Sequence, residues 1–175
     1  MFLYHRIPQE LRGTKLYPLN KLKETHQDLY ASLVTNYFGR EEVMKQMVPA
    51  LECLWNDVIF LSPVAPSLVA EVRREHGISA RPGRSFVIDS ETLDKDKLLL
   101  YRHRPSWLAK QEPEKEEYVR FLDLTEKDTE ELSKVPECAR WSMNKFGKES
   151  LFFGCIPHIL YLGEIDVVNV SILEY

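Results

Sequence analysis

The sequence contains few cysteines and few glycines. Its 175 residues include three cysteines, Cys53, Cys138 and Cys155, and seven glycines. Three cysteines are few and odd in number, which argues against a disulfide framework. We therefore expect buried thiols in a reducing, cytoplasmic compartment. Neither a glycine-rich turn after a strand nor a G-x-S-x-G or GxxxxGK[ST] motif occurs. These absences argue against a Rossmann-type NAD fold, α/β-hydrolases and P-loop enzymes.

Long apolar runs are missing as well. No stretch approaches the roughly 20 apolar residues that a membrane-spanning helix needs, and the start, "MFLYHRIP", lacks the features of a secretory signal. We therefore expect a soluble protein without a membrane partner. The net charge of -4 gives no general attraction to phosphate backbones, so a nucleic-acid partner would have to bind a local basic patch.

Two short motifs point to binding sites, but each has a simpler interpretation. Cys155-x-x-His158 resembles half of a zinc site, yet no second pair of ligands follows, and we expect no metal. The run "LYRHRPSW", residues 101–108, mixes cationic and aromatic side chains that could stack bases and neutralise phosphates. A strand end entering solvent is the favoured interpretation of this run.

Hydrophobic patterning predicts short strands spread along the whole chain and helices between them. The predicted strands cover 1–7, 57–62, 85–90, 98–103, 150–154 and 165–173. The predicted helices cover 21–36, 40–55, 66–76 and 125–135. Pro49 should divide the second of these helices. Pro66 and Gly77 frame the third, and Thr125 with Asp128 resembles a capping box at the start of the fourth.

The order of these segments predicts one α+β domain over residues 1–175. Helices dominate the first half and strands the second, without regular alternation, which favours a mixed or antiparallel sheet. The polar stretch "KQEPEKEE", residues 110–117, indicates an exposed loop or the start of a solvated helix. It is not a domain boundary, because it would leave a second piece too small for a domain of its own.

Three pieces of sequence carry a family resemblance. "LYHRIP" places His5 at the end of the first strand, Arg40 precedes Val48-Pro49 and "NDVIFLSPVAP", and "KESLFFGCIPHILYLGEIDV" begins with Glu149. In this order the pieces resemble the DNA-targeting ADP-ribosyltransferase toxins of bacterial toxin-antitoxin systems, which belong to the wider ADP-ribosyltransferase superfamily.

The resemblance implies a split sheet of ADP-ribosyltransferase type and NAD as substrate. Glu149 would be the catalytic carboxylate that stabilises an oxocarbenium-like state while the bond between nicotinamide and ribose breaks. Arg40 would pair with the diphosphate or the acceptor. His5 would bind the ribose on the nicotinamide side, and Ser62 would help to bind the cofactor. ADP-ribose would pass to a macromolecular acceptor, protein or nucleic acid, and a protein partner or inhibitor is also implied.

An alternative is a non-catalytic binding or regulatory module on the same fold. Each residue also has a structural interpretation. Glu149 could be an exposed residue before a strand, His5 a satisfied strand histidine, and Arg40 one member of a surface pair with Glu41 or Glu42. The sequence leaves these alternatives open, and it does not identify the acceptor.

Overall fold

The computed structural model describes residues 1–104, 115–149 and 152–175, in which the side chains of residues 104, 115, 116, 149, 152 and 153 are left aside. The described strands are β1 (Phe2–Arg6), β2 (Lys15–Leu16), β3 (Met47–Val48), β4 (Cys53–Leu54), β5 (Ile59–Leu61), β6 (Arg84–Asp89), β7 (Leu98–Arg104), β8 (Lys115–Arg120), β9 (His158–Tyr161), β10 (Ile165–Asp166) and β11 (Ser171–Glu174). The α-helices are α1 (Leu19–Thr25), α2 (Gln27–Val34), α3 (Pro66–Glu75), α4 (Glu126–Leu132) and α5 (Glu137–Phe146). The fold is therefore α+β.

Two antiparallel sheets form the framework. The first sheet has the order β1-β6-β11, and the second has the order β5-β9-β7-β8. A backbone bridge joins them: Tyr4 of β1 and Ser62, directly after β5, exchange two N–H to O=C hydrogen bonds of 2.8 Å each. The small ribbons β2-β10 and β3-β4 are also antiparallel. Because of this bridge, the end of β1 lies at the junction of the two sheets.

The main core takes side chains from both sheets. Leu3, Phe86 and Ile88 of the first sheet pack with Leu61 and Leu100 of the second, and all five are buried. Burying one such side chain contributes roughly 1.5–3 kcal/mol. This shared core holds the two sheets together.

The other face of the second sheet is covered as well. Leu99 and Leu160 point away from the main core and pack with Val48, Val58 and Tyr101. With both faces buried, β7 begins with three consecutive buried leucines, Leu98 to Leu100, rather than with alternating apolar and polar residues. A third cluster lies between α3 and α5, where Val69 and Val72 pack against Ala139 and Met143.

Several sequence predictions are confirmed. Helix α3 begins at Pro66 and is followed by Gly77, whose φ of +66° fits the left-handed position after a helix. Helix α4 begins with the expected capping box: the Thr125 hydroxyl accepts a hydrogen bond from the Asp128 N–H, and the Asp128 carboxylate accepts one from the Thr125 N–H. Strands β1, β6 and β7 lie within a residue or so of the predicted ranges.

The predicted helix over 40–55 is wrong. Glu41–Lys45 and Pro49–Leu51 form short 3-10 helices, and Met47–Val48 pairs with Cys53–Leu54 across the second of them. Pro49 disfavours the α conformation at the residue before it, and Val48 is extended. Glu52 then takes a left-handed conformation at φ 51°, which lets the chain reverse.

Three other helix and strand assignments also need correction. The predicted helix 21–36 is interrupted at His26, whose φ of -146° separates α1 from α2. Within the predicted strand 150–154, residues 150 and 151 lie outside the described ranges, and the rest belongs to the 3-10 helix Phe152–Cys155. The predicted strand 165–173 is divided into β10 and β11, because the Asp166 carboxylate accepts a hydrogen bond from the Val168 N–H and turns the chain.

The second half of the chain contains more helix than predicted. Helix α5 was not expected, although three of the five described α-helices, α1 to α3, lie in the first half of the chain as predicted. Of the stretch 110–117, residues 110–114 lie outside the described ranges, while 115–117 begin β8 rather than a loop or helix. Among the described residues, no helix is both long and apolar enough to cross a membrane.

Candidate functional site

A large cleft opens where β1 ends, and we call it the basic cleft. Its volume is about 1520 Å³, more than drug-sized ligands usually occupy. It extends from His5 along the following loop to helices α1 and α2, and its opposite wall is the turn before β6 with the end of β11. The acidic side chains that line it are Glu10 and Glu174. Five basic side chains line it as well: Arg6, Arg12, Lys15, Arg81 and Arg84.

Part of this positive charge is already paired. Arg12 contacts Asp28 at 2.8 Å, Lys15 contacts Glu164 at 3.0 Å, and Arg84 contacts Glu174 at 3.4 Å. Among the described side chains, no carboxylate forms an ion pair with Arg6 or Arg81. A cleft with unpaired guanidinium groups, in a chain of net charge -4, is electrostatically suited to an anion.

A smaller cavity adjoins the basic cleft, and we call it the aromatic cavity. It has a volume of about 170 Å³ and shares His5 and Tyr17 with the cleft. The remaining wall includes the rings of Tyr37, Trp55 and Phe60. Trp55 packs against Phe60 with a centroid separation of 4.7 Å, so these rings form a firm surface. The cavity is large enough for one planar ring.

His5 lies between the two cavities. Strand β1 holds it opposite Phe86 of β6, and its Nδ1 is buried without a hydrogen-bond partner among the described residues. Burial lowers the pKa of His5, and the nearby backbone of Arg6 opposes this shift only in part. His5 is therefore neutral near pH 7, with one ring nitrogen able to donate a hydrogen bond and the other able to accept one.

Asn56 contributes a second buried polar atom to the aromatic cavity. Asn56 is 3% exposed, and its Oδ1 has no hydrogen-bond partner in the part of the chain that is described. The neighbouring Asp57 fixes this turn, because its carboxylate accepts hydrogen bonds from the Leu54 N–H at 2.8 Å and from Asn20 Nδ2 at 2.7 Å. Buried polar atoms normally have partners. Two unsatisfied atoms in one cavity indicate a site for a ligand with hydrogen-bonding groups.

Ser62 follows β5 directly and lies opposite Tyr4, the residue before His5. Its backbone forms the bridge to Tyr4, but its hydroxyl is engaged with Val64, donating to the carbonyl at 2.8 Å and accepting from the N–H at 3.1 Å. The side chain lines neither the basic cleft nor the aromatic cavity. Its role in cofactor binding stays a prediction.

Arg40 lies beside the cavities without lining them. Its guanidinium donates to the Asn36 carbonyl at 3.1 Å and packs over the Tyr37 ring, 5.6 Å from the centroid. Asn36 lines the basic cleft and Tyr37 the aromatic cavity, so Arg40 contacts one residue of each wall. Glu41 accepts a hydrogen bond from Gly39 instead of pairing with this arginine. The role of Arg40 also stays a prediction.

The side chain of Glu149 lies outside the described residues. Its backbone ends the 3-10 helix Gly147–Glu149, directly after α5. The convergence of this carboxylate with His5 and Arg40 on one cleft is consequently still a prediction.

Other predicted features do not add to this site. His158 packs edge-on against Phe60, with centroids 6.0 Å apart, while Cys155 lies beside Cys138. No cluster of three or more potential metal ligands occurs within the described ranges. In the basic run 101–108, Arg102 pairs with Glu117 of β8 at 3.3 Å, and residues 105–108 lie outside the described ranges.

Sequence reasoning missed most of the cavity walls. The aromatic residues before β5 and the turn "RPGR" at 81–84 were not singled out. A signal for the turn exists, since two arginines flank a Pro-Gly pair. No comparable local signal identifies Asn56, because only its burial makes its polar oxygen unusual.

Comparison with known proteins assigns no relative. No family model matches the sequence, and no curated protein and no solved structure matches it.

Proposed function

We propose that this chain binds NAD in the basic cleft and the aromatic cavity and transfers ADP-ribose to a macromolecular acceptor, protein or nucleic acid. The observation that carries the proposal is the junction of these two cavities at His5. NAD supplies matching chemistry: a cationic nicotinamide ring with a carboxamide at one end, and an anionic diphosphate farther along. An aromatic wall favours the cationic ring, and an excess of arginine favours the diphosphate.

In this proposal the binding residues have separate tasks. The buried Asn56 Oδ1 would accept a hydrogen bond from the carboxamide, which satisfies an atom that otherwise lacks a partner. The neutral His5 would bind a ribose hydroxyl, since it can donate and accept. Arg6 and Arg81 would bind the diphosphate, and Arg40 would reach either the diphosphate or the acceptor from the rim.

Glu149 would act on the reacting carbon. As the bond to nicotinamide breaks, positive charge grows on the ribose, and a carboxylate close to it lowers the barrier electrostatically. The fold of two antiparallel sheets joined at Tyr4 and Ser62 supports the proposal, because the resemblance implies a split sheet of this kind. We propose that this fold is of the ADP-ribosyltransferase type.

NAD titration tests the binding part. Arg6→Ala and Arg81→Ala should each weaken NAD binding about 10- to 150-fold, since a hydrogen bond to a charged group contributes roughly 1.5–3 kcal/mol. Arg74→Ala is the matched control, because Arg74 is an exposed arginine on α3 that does not line the cleft. Isothermal titration calorimetry would measure all four proteins. A folded wild-type protein that does not bind NAD would refute the proposal.

Nicotinamide release tests the chemistry. Glu149→Gln should bind NAD with nearly unchanged affinity but release nicotinamide at least 100-fold more slowly, because it removes the charge and keeps the shape. Glu71→Gln, at an exposed glutamate of α3, is the control and should retain the wild-type rate. If the wild type binds NAD but releases no nicotinamide with any acceptor fraction, the non-catalytic regulatory module is the correct function. An unchanged rate in Glu149→Gln would exclude Glu149 as the catalytic carboxylate.

A further inference from the structure

Two of the three thiols contact each other. Cys138 lies at the start of α5, and Cys155 ends the 3-10 helix Phe152–Cys155. The two are seventeen positions apart in sequence. The Cys138 Sγ lies 3.9 Å from the Cys155 carbonyl oxygen, and the two thiol groups are hydrogen-bonded to each other. All three cysteines are reduced. Cys53 lies elsewhere, beside the cluster that contains Val48 and Leu99.

A cavity gives access to this pair, and we call it the thiol cavity. Its volume is about 460 Å³, and both Cys138 and Cys155 line it. Cys155 is 8% exposed, whereas Cys138 is only partly buried. A reagent that enters the thiol cavity therefore meets Cys138 first. The rim carries the ion pairs Arg102–Glu117 and Lys134–Glu131, so both signs of charge are present there.

The contact gives the two thiols different roles. The hydrogen bond with Cys138, together with burial, raises the pKa of Cys155, so Cys155 keeps its proton and donates it toward its neighbour. Cys138 is the more accessible sulfur of the two, so it is the one that a reagent reaches. A thiolate is the nucleophile in thiol-disulfide exchange.

We propose that Cys138 and Cys155 form a dithiol site that a small-molecule disulfide oxidises to an intramolecular disulfide. In the first step the Cys138 thiolate attacks one sulfur of the reagent, its S–S bond breaks, and one small thiol leaves. In the second step Cys155 loses its proton, attacks the Cys138 sulfur and releases the second small thiol. In total the protein loses two protons and two electrons, and the reagent takes them up as it becomes two thiols.

The new bond would close a ring of residues 138–155, and this ring contains Glu149. The ring limits the conformations of the unfolded chain, so the oxidised protein should resist denaturant better than the reduced protein. Oxidation would also constrain the segment that carries the proposed catalytic carboxylate. This last consequence rests on the proposed function, whereas formation of the disulfide does not.

Incubation of the reduced full-length chain with oxidised glutathione tests the proposal. Peptide mapping by mass spectrometry should find a Cys138–Cys155 disulfide, Cys53 should stay a thiol, and dithiothreitol should restore all three thiols. Cys155→Ser should stop at a glutathionyl group on Cys138, and Cys138→Ser should form neither product. The urea midpoint of the wild type should shift upward on oxidation and return on reduction.

Cys53→Ser is the matched control and should form the disulfide as the wild type does, because burial and Asp57 raise the pKa of Cys53 to about 11. A folded wild type that keeps all three thiols, or that reacts first at Cys53, would overturn the proposal. The thiol count requires no NAD, so failure of NAD cleavage and failure of disulfide formation are separate results. If NAD is cleaved and the disulfide forms but the two redox forms release nicotinamide at equal rates, the link to Glu149 is refuted.

Discussion

Buried histidines couple the stability of this protein to pH. Burial lowers the pKa of His158 below its ordinary value of 6.5, and electrostatic repulsion from His103 lowers it further. The unfolded chain therefore takes up this proton at a higher pH than the folded chain does. The contribution to stability is complete above pH 6.5 and is lost as the pH falls toward the folded pKa.

We accordingly expect the free energy of unfolding to decrease as the pH falls below about 6.5. His158→Gln should reduce this slope, because glutamine does not titrate, while His5 continues to contribute a slope of the same sign. Urea denaturation at several pH values measures the effect. Identical slopes in the wild type and the variant would show that His158 does not cause the pH dependence.

Gly147 ends helix α5 in a conformation that other residues avoid. Its φ is 55° and its ψ is -125°, although a Cβ atom there would meet nothing within 4 Å. Gly147→Ala should therefore lower the free energy of unfolding by about 1–3 kcal/mol through backbone strain alone. Lys148→Ala, at the exposed next residue, should change it by less than about 0.5 kcal/mol. Equal effects of the two substitutions in chemical denaturation would contradict this explanation.

Helix α5 is stabilised by the packing of its buried face. Met143 is 1% exposed and packs in the cluster between α3 and α5. Met143→Ala should cost about 2–5 kcal/mol, because it removes buried contacts and leaves a cavity. Asn144→Ala is the control on the exposed face of the same helix and should be nearly neutral. A small effect at both positions would mean that α5 does not depend on this packing.

Helix α4 depends instead on its cap. The Thr125 hydroxyl hydrogen-bonds with the Asp128 carboxylate at 2.6 Å and accepts from the Asp128 N–H at 3.2 Å. The hydrogen bonds that the Thr125 hydroxyl and N–H donate to this carboxylate lower the pKa of Asp128. Thr125→Ala should destabilise the protein by about 1 kcal/mol, and Thr125→Ser should restore most of this loss. Thermal denaturation of the three proteins decides whether the hydroxyl is responsible.

For the whole molecule, the shared core predicts cooperative unfolding. Leu3 and Ile88 of the first sheet and Leu100 and Ile159 of the second belong to one buried cluster, so neither sheet keeps its core without the other. We expect a single urea transition, with coincident midpoints from tryptophan fluorescence and far-ultraviolet circular dichroism. Two separated transitions would show that the sheets unfold independently and would contradict a single domain over 1–175.

Much of the fold could be predicted from sequence where the signal is local. Pro66 and Gly77 frame α3, Thr125 and Asp128 begin α4, and apolar runs predict β6 and β7, because each pattern acts within a few residues. Prediction failed where the signal is not local. The stretch 40–55 has helical spacing, but Pro49 and the pairing of Val48 with Cys53 give short 3-10 turns and a ribbon. Strand β8 was missed because pairing with β7 makes it a strand.

Composition, caps and strand patterns are properties of neighbouring residues, so they were enough to predict the α+β class and His5 as a candidate, together with strands β1, β5, β6 and β7 and helices α3 and α4. The surroundings of His5, in contrast, follow from the tertiary structure. It placed the turn of Arg81 opposite β1, and it buried Asn56 next to the histidine. Such a site depends on residues distant in sequence, because the junction of two sheets, and not any local pattern, brings an unsatisfied polar atom and an unpaired charge to two adjoining cavities.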